Sequence, residues 1–303
     1  MSTPRHYKHL PVSVLILITM FWGGSFIVVQ TALRWAGPYS FVGMRFLVAG
    51  LIALLLCGKE IKELHRREIT AGIMIGTILF GGYILQTIGL TSIPSSKSAF
   101  LTGLYVPLVP LVQWAIFRKL PKLKAWVGVL VAFIGLILLS NPHGMSLQIG
   151  TGEWLSIIST LLIAFEISFI SHFAQGCNPK RTASVQLLTV SLLAFVSMAF
   201  THEAPPVFSH YLTACILGVG AATALIIIGM NWAQKTVSAT SATVIYAMEP
   251  VWAGVIGYLA GEPMTWMSIS GAGLIILSVL ISSLDFGFLR PRPASSVATD
   301  TPA

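Results

Sequence analysis

The sequence predicts an all-α membrane protein: ten transmembrane helices forming two five-helix repeats that lie in opposite orientations. Three observations carry this. First, the chain of 303 residues is 55% hydrophobic and only 9% charged, against about 25% charged in a soluble domain. Second, ten apolar stretches approach the roughly 20 residues that cross a bilayer. They lie at about 12–31, 39–56, 70–90, 97–117, 124–140, 153–173, 183–200, 210–230, 240–259 and 267–284. Third, the last five repeat the first five without a gap, at an offset of 143 residues (250 less 107). Pro250 repeats Pro107; Ser238, Ser241 and Ala242 repeat Ser95, Ser98 and Ala99; Gly271 repeats Gly128; Phe165, Ser168 and Phe169 repeat Trp22, Ser25 and Phe26. Five is odd, so the second copy crosses the membrane the other way up, the arrangement of secondary transporters with a substrate path between repeats.

Helices follow from backbone chemistry, because amides left unpaired in lipid are costly. The first span is preceded by Arg5 and Lys8, as a signal peptide would be. Its repeat pairing with the sixth span argues that it is retained. The second span carries Arg45, about six residues in; this arginine is expected to snorkel outward, to pair with Glu249, or to bind an anionic substrate group. In the third span, Gly72 and Gly76 are spaced for close helix contact, and Gln86 is a polar side chain needing a partner. The fourth holds Pro107 and Pro110, each costing about 3 kcal/mol in a straight helix. Pro250, in the ninth, repeats Pro107. Paired interruptions of this kind point to a transport site, so all three prolines are candidate hinges.

Glu166 in the sixth span and Glu249 in the ninth are intramembrane carboxylates. A charge there costs roughly 2.5 to 3.5 kcal/mol on insertion scales, so each needs a partner, a hydrated cavity or its neutral form. Glu166 repeats Gly23 and is read as facing a cavity across the glycine gap at Gly23-Gly24, unless it is solvated near the membrane face. His172, six residues on, reads as an interface residue. Asn231, Tyr246 and Trp22 complete the candidate pathway, with Phe26, Phe80, Tyr83, Tyr105, Phe165, Phe169 and Trp252 as an aromatic wall or as packing. Gly271-Ala272-Gly273 in the tenth span reads as a helix contact. No phosphate-loop lysine follows any glycine run. The tail after Arg290 is polar and rich in Pro, Ser and Thr, so disorder is expected.

The net charge of +8 reports topology. Ten spans with the N-terminus inside put fifteen basic residues on one side: Arg5, Lys8, those between 59 and 67 and between 118 and 124, Lys180, Arg181, Lys235, Arg290 and Arg292. Only Arg34 and Lys97 fall opposite. That bias puts both termini in the cytoplasm. The repeat agrees: loop 118–124 holds four basic residues, whereas its counterpart 261–267 holds none and carries Glu262. Three cysteines, Cys57, Cys177 and Cys215, have no spacing that marks a disulfide framework or metal site. No metal or cofactor is expected.

Trp22-Gly23-Gly24-Ser25-Phe26, Arg45-Phe46-Leu47, Val237-Ser238-Ala239-Thr240-Ser241-Ala242, Met248-Glu249-Pro250-Val251 and Gly261-Glu262 together resemble the EamA-type repeat of the drug/metabolite transporter superfamily. The resemblance covers nearly the whole chain. It implies two inverted repeats around a central cavity, here residues 1–145 and 146–288 followed by a tail at 289–303, working by alternating access. It also implies a bacterial inner-membrane exporter of small metabolites, amino acids or drugs, with nucleotide-sugar and sugar-phosphate exchangers as relatives. The chain departs from the family pattern at Arg118-Lys119, where Gly-Glu is common, and at Glu166, where many members are uncharged.

The leading expectation is a secondary exporter of amino acids or related amphipathic compounds, monomeric or homodimeric, with proton coupling or passive facilitation. Nucleic acid is not an expected partner. An exchanger of phosphorylated or nucleotide-linked solutes is the alternative, but it needs a Lys/Arg cluster inside the bundle, and only Arg45 is available. A structural or receptor protein is a further alternative. An enzyme is disfavoured: the only aspartates, Asp285 and Asp300, lie at or beyond the last span. Topology is checked by placing a cysteine at position 262: a membrane-impermeant maleimide should label it from outside intact cells, and labelling only after permeabilisation would refute the inversion.

Overall fold

A computed structural model describes residues 10–93, 95–139, 150–259 and 265–283. Glu262, the boundary at 145–146, the tail and Arg5, Lys8, Arg290 and Arg292 lie outside the described residues. Twelve α-helices follow in order: α1 (Leu10–Ala32), α2 (Pro38–Cys57), α3 (Arg66–Gly89), α4 (Ser95–Thr102), α5 (Tyr105–Phe117), α6 (Leu123–Leu139), α7 (Thr151–Phe173), α8 (Pro179–Thr201), α9 (His210–Ala233), α10 (Ala239–Tyr246), α11 (Glu249–Leu259) and α12 (Trp266–Ser283). A 3-10 turn, Gly58–Glu63, follows α2. All regular structure among the described residues is helical.

Among the described residues, seven segments are long and apolar enough to cross a membrane: α1, α2 with its 3-10 turn, α3, Lys97–Phe117, α7, α8 and α9. The apolar helices α6 and α12 are shorter. The expected fourth and ninth spans are each two helices, α4–α5 and α10–α11. Leu55, Leu192, Phe200 and Leu225 are more than 60% exposed, a bundle surface suited to lipid tails rather than water.

The two breaks fall at Gly103–Leu104 and Ala247–Met248, repeat-equivalent to within a residue or so. They precede the prolines expected to cause them. Pro107 is the third residue of α5 and Pro250 the second of α11. In a first turn the backbone N–H has no helical partner, so a proline there removes nothing. Restarting the helix thus avoids most of the cost a proline imposes mid-helix. Pro110 alone sits inside a helix, where α5 continues without the bond to the carbonyl of Val106.

Helix packing exchanges the two halves. α2 packs on α8 and α6 on α12, each against its own repeat counterpart. The other contacts come in swapped pairs: α3 on α7 and α1 on α9, α3 on α8 and α2 on α9, α5 on α7 and α1 on α11. Each half thus completes the other's core. Glycines allow the approach. A Cβ at Gly76 would lie 2.6 Å from the Gln186 carbonyl, and one at Gly135 2.8 Å from that of Gly271, far inside van der Waals contact.

Repeat-related glutamates brace the α2–α8 pair at both ends. Glu203, after α8, accepts bonds from the Tyr39 and Ser40 amides at 3.0 and 2.8 Å, capping α2. Its counterpart Glu60, after α2, accepts from Asn178 Nδ2 and Lys180 Nζ, both at 2.8 Å, where α8 begins. Buried Glu68 adds a bond from the Asn178 amide at 2.8 Å and an ion pair with Arg181 at 3.3 Å. A carboxylate on free amides at a helix N-terminus is favourable by charge and dipole. Glu203→Ala should destabilise the protein by about 1 kcal/mol, read as a lowered melting temperature in detergent, with Glu203→Gln milder because it retains one acceptor.

Candidate functional site

Where the halves meet, the helices leave a narrow central cavity of about 50 Å³. Each repeat supplies a carboxylate or a cation to it. Arg45 enters from α2; Glu166 comes from α7 and Glu249 from α11. Trp22, Ser25 and Phe26 of α1, Tyr83 and Gln86 of α3, and Tyr105 at the start of α5 complete the polar and aromatic wall.

Glu249 is the first residue of α11. A helix that restarts inside the bundle presents free amides and the positive end of its dipole, which favours a carboxylate in its first turn. The side chain is 6% exposed, and no described residue bonds it. Glu166 is 4% exposed, and its Oε1 has no hydrogen-bond partner, so the alternative of solvation at the membrane face does not hold. It lines the cavity, but not across a glycine gap. Gly23 is occupied on its open side by the backbone of α11: a Cβ there would lie 2.7 Å from the Glu249 carbonyl and 2.9 Å from the Ala253 amide. The glycine seats the broken helix rather than making space.

Arg45 does not snorkel. It is 4% exposed, its Nε donates to Thr223 Oγ1 at 2.9 Å, and its guanidinium lies 4.9 Å from the Tyr83 ring centroid and 5.4 Å from that of Phe46. These ring faces attract the cation by 0.5 to about 2 kcal/mol each. No carboxylate lies within ion-pair distance of Arg45 among the described residues, so the alternative of an Arg45–Glu249 pair is not realised either. The cavity thus holds two carboxylates and one guanidinium that do not cancel by contact.

Gln86 is present through its donor: Nε2 reaches Thr102 Oγ1 at 2.8 Å, and that hydroxyl donates to the Ser98 carbonyl at 2.8 Å. Thr102 and Thr87 also line the cavity and went unnoticed in the sequence. Thr102 ends α4 at the break, and nothing in residue spacing announces where a helix will stop. Tyr246 lies behind the wall, fully buried, its hydroxyl accepting from Gln234 Nε2 at 3.2 Å and its ring 5.2 Å from Trp22, edge-on. Asn231 is not at the cavity; it bonds Gln186 Oε1 at 3.1 Å and the Ile227 carbonyl at 2.9 Å, joining α9 to α8. His172 stacks on Phe117 at 4.7 Å, away from the cavity. Of the aromatics considered, Phe26, Tyr83 and Tyr105 line the cavity, whereas Phe117 holds Phe169 and Trp252 bonds Thr19 at 3.0 Å.

Besides Glu166 Oε1, the buried Tyr105 hydroxyl on the cavity wall has no hydrogen-bond partner among the described residues. Buried polar groups are almost always satisfied, so these are chemically suited to a solute. A second cavity, about 530 Å³, opens where loop 118–122 meets the start of α10 and is lined by Lys119, Lys122 and Lys124.

The model of the EamA-like transporter family matches the chain twice, over residues 9–141 and 150–284. An uncharacterized transporter of Archaeoglobus fulgidus is 30% identical over 272 residues, 89% of this chain and 84% of that protein. The uncharacterized inner membrane transporter YedA of Escherichia coli K12 is 25% identical over 305 residues, covering 95% and 96%. An S-adenosylmethionine/S-adenosylhomocysteine transporter of Chlamydia trachomatis is 25% identical over 218 residues, covering 65% and 64%. A crystal structure superposes with a TM-score of 0.74 at 13% identity, over 92% of this chain and 98% of its own, a likeness of fold alone.

The contrast between neighbouring glycines tests the seat of α11. Gly23→Ala should cost about 1–3 kcal/mol, because the methyl meets backbone that cannot give way. Gly24→Ala, whose Cβ meets Ile256 Cδ1 at 3.5 Å, should stay within about 0.5 kcal/mol. Thermal melts of both variants in one detergent decide it.

Proposed function

We propose a function that starts from family: this chain belongs to the EamA-like transporter family, and it is a multi-pass membrane transporter, not an enzyme. Its specific role, in our reading, is secondary export of small zwitterionic or cationic metabolites, amino acids and related amphipathic compounds first and drugs by extension. The pathway runs through the central cavity between two inverted repeats, residues 1–145 and 146–288, making ten spans in a bacterial inner membrane with both termini cytoplasmic. Alternating access would proceed about the breaks between α4 and α5 and between α10 and α11.

The observation that carries this reading is a pair of buried carboxylates, Glu166 and Glu249, without a hydrogen-bonded partner among the described residues, in a cavity that also holds one buried arginine. A zwitterion offers an ammonium for the carboxylates and a carboxylate for Arg45, with aromatic faces for the remainder. S-adenosylmethionine, for which the Chlamydia trachomatis relative is named, is itself an amino-acid zwitterion bearing a further cation. A phosphorylated solute would need several cations inside the bundle, and the lysines 119, 122 and 124 line a separate cavity. Protons enter the proposal because an intramembrane carboxylate without a partner is stable only if hydrated, occupied by a cationic group or protonated. Exchange of a proton for the solute's ammonium on Glu249 or Glu166 would couple the two.

Uptake into inside-out vesicles across an amino-acid and cationic-dye panel, with a pH gradient imposed or collapsed, tests this. At least one solute should accumulate with the gradient, and Glu249→Gln or Glu166→Gln should reduce its uptake about tenfold or more, as loss of one member of a cooperating set does. Uptake that ignored the gradient, with both variants normal, would end the coupling proposal.

A further inference from the structure

The repeat is broken at one seam, and the break leaves a groove beside the central cavity. Its two versions are α3 against α7 and α1 against α9. In the first, Ile75 and Leu79 of α3 and Ala164 and Ile167 of α7 are buried to 1% exposure or less. The repeat-equivalent positions in the second are Gly218, Ala222, Phe21 and Gly24. Phe21 is 60% exposed, and a Cβ built on Gly218 meets no atom within 4 Å. Small residues on α9 therefore leave unfilled what Ile75 and Leu79 close on the other side.

The result is a groove of about 340 Å³. Its outer end is apolar and is bordered by Met20 and Phe21, 48% and 60% exposed on the lipid-facing surface. Its inner end is formed by Trp22, Ser25 and Arg45, the same three residues that line the central cavity. Those three side chains thus form a common wall between a groove that is apolar toward the bilayer and a cavity that holds the carboxylates.

We infer that this seam is a lateral portal for single-chain amphiphiles: a cationic or zwitterionic head occupies the central cavity while its alkyl tail lies between α1 and α9 and reaches the lipid. The inference rests on reading the central cavity as the solute site. The occupant follows from charge and shape. The two unpartnered carboxylates take a cation, and the groove beyond Trp22 offers a tail no polar partner. A tail that stays in the groove is never moved into water, so lengthening it strengthens binding from the aqueous phase.

Restoring the first half's residues closes the portal. Gly218→Ile and Ala222→Leu place there the side chains found at 75 and 79, and at Gly218 the added carbon displaces nothing. The probes are radiolabelled tetramethylammonium and octyltrimethylammonium, one head without and with a tail, bound to purified protein in lipid nanodiscs with empty nanodiscs subtracted. Wild-type protein should bind the octyl ion at least about tenfold tighter, a fraction of the full transfer of seven methylenes. In the double variant, and in Ala222→Leu alone to a lesser degree, that advantage should shrink to about twofold or less, with tetramethylammonium binding unchanged as proof of an intact fold and cavity. An equal octyl advantage in wild type and double variant, or none in wild type, would overturn the portal and leave the cavity reading standing. Binding of neither ion above empty nanodiscs would remove both.

Discussion

An apolar medium offers a peptide group no partner but another peptide group, so a polypeptide in a bilayer stays helical unless something else satisfies it. This protein interrupts helices twice at equivalent places, at 103–104 and 247–248, and the rest of its arrangement follows from accommodating them. The interruption before α11 puts free amides and a positive dipole end inside the bundle. Glu249 stands there because a carboxylate is least costly at such a point. Gly23 is required opposite because the restarted helix needs backbone contact with α1. Thr102 and Gln86 use the matching interruption between α4 and α5. The prolines secure the break by preventing the helix from running through it, although the helix has already ended a few residues before them.

Around these interruptions the packing is reciprocal. α2 with α8 and α6 with α12 pair counterparts, and the largest of the other contacts between the halves have swapped twins. The α2–α8 pair is closed at both ends by Glu203 and Glu60, which stand at the same place in the repeat: Glu203 caps α2 through its amides, and Glu60 holds the Asn178 and Lys180 side chains where α8 begins. The pair is thus joined along its length and held at its ends, whereas α4–α5 and α10–α11 are each divided.

Symmetry accounts for the frame, and its violations account for the chemistry. Glu166 stands where the first half has Gly23, and Glu249 where it has Val106. Gly218 and Ala222 stand where it has Ile75 and Leu79. The first pair of differences charges the cavity, and the second leaves one of two equivalent seams open. Arg45, held by Thr223 and the Tyr83 and Phe46 rings, is at the meeting point of both.

Much of the fold was legible in the residues. Apolar length, the 143-residue offset and the polar punctuation require nothing but local chemistry, and all three are read along the chain. Glu166, Glu249, Arg45, Trp22 and Gln86 stood out because a polar or charged group in an apolar span is conspicuous on its own, and all five line the cavity. Asn231 and Tyr246 stood out equally and do not line it, because the same polarity also serves helix-to-helix bonds, here to Gln186 and Gln234. Thr102 and Thr87 were missed because threonine is unremarkable in any helix. What the sequence by itself determined was therefore the repeated helical membrane architecture and the candidate charges. Only the tertiary structure decided which polar groups share one space, that Arg45 turns to aromatic faces rather than to a carboxylate, that Gly23 is filled rather than open, and that one seam is loose. Those outcomes depend on contacts between residues far apart in the chain, and no local pattern encodes them.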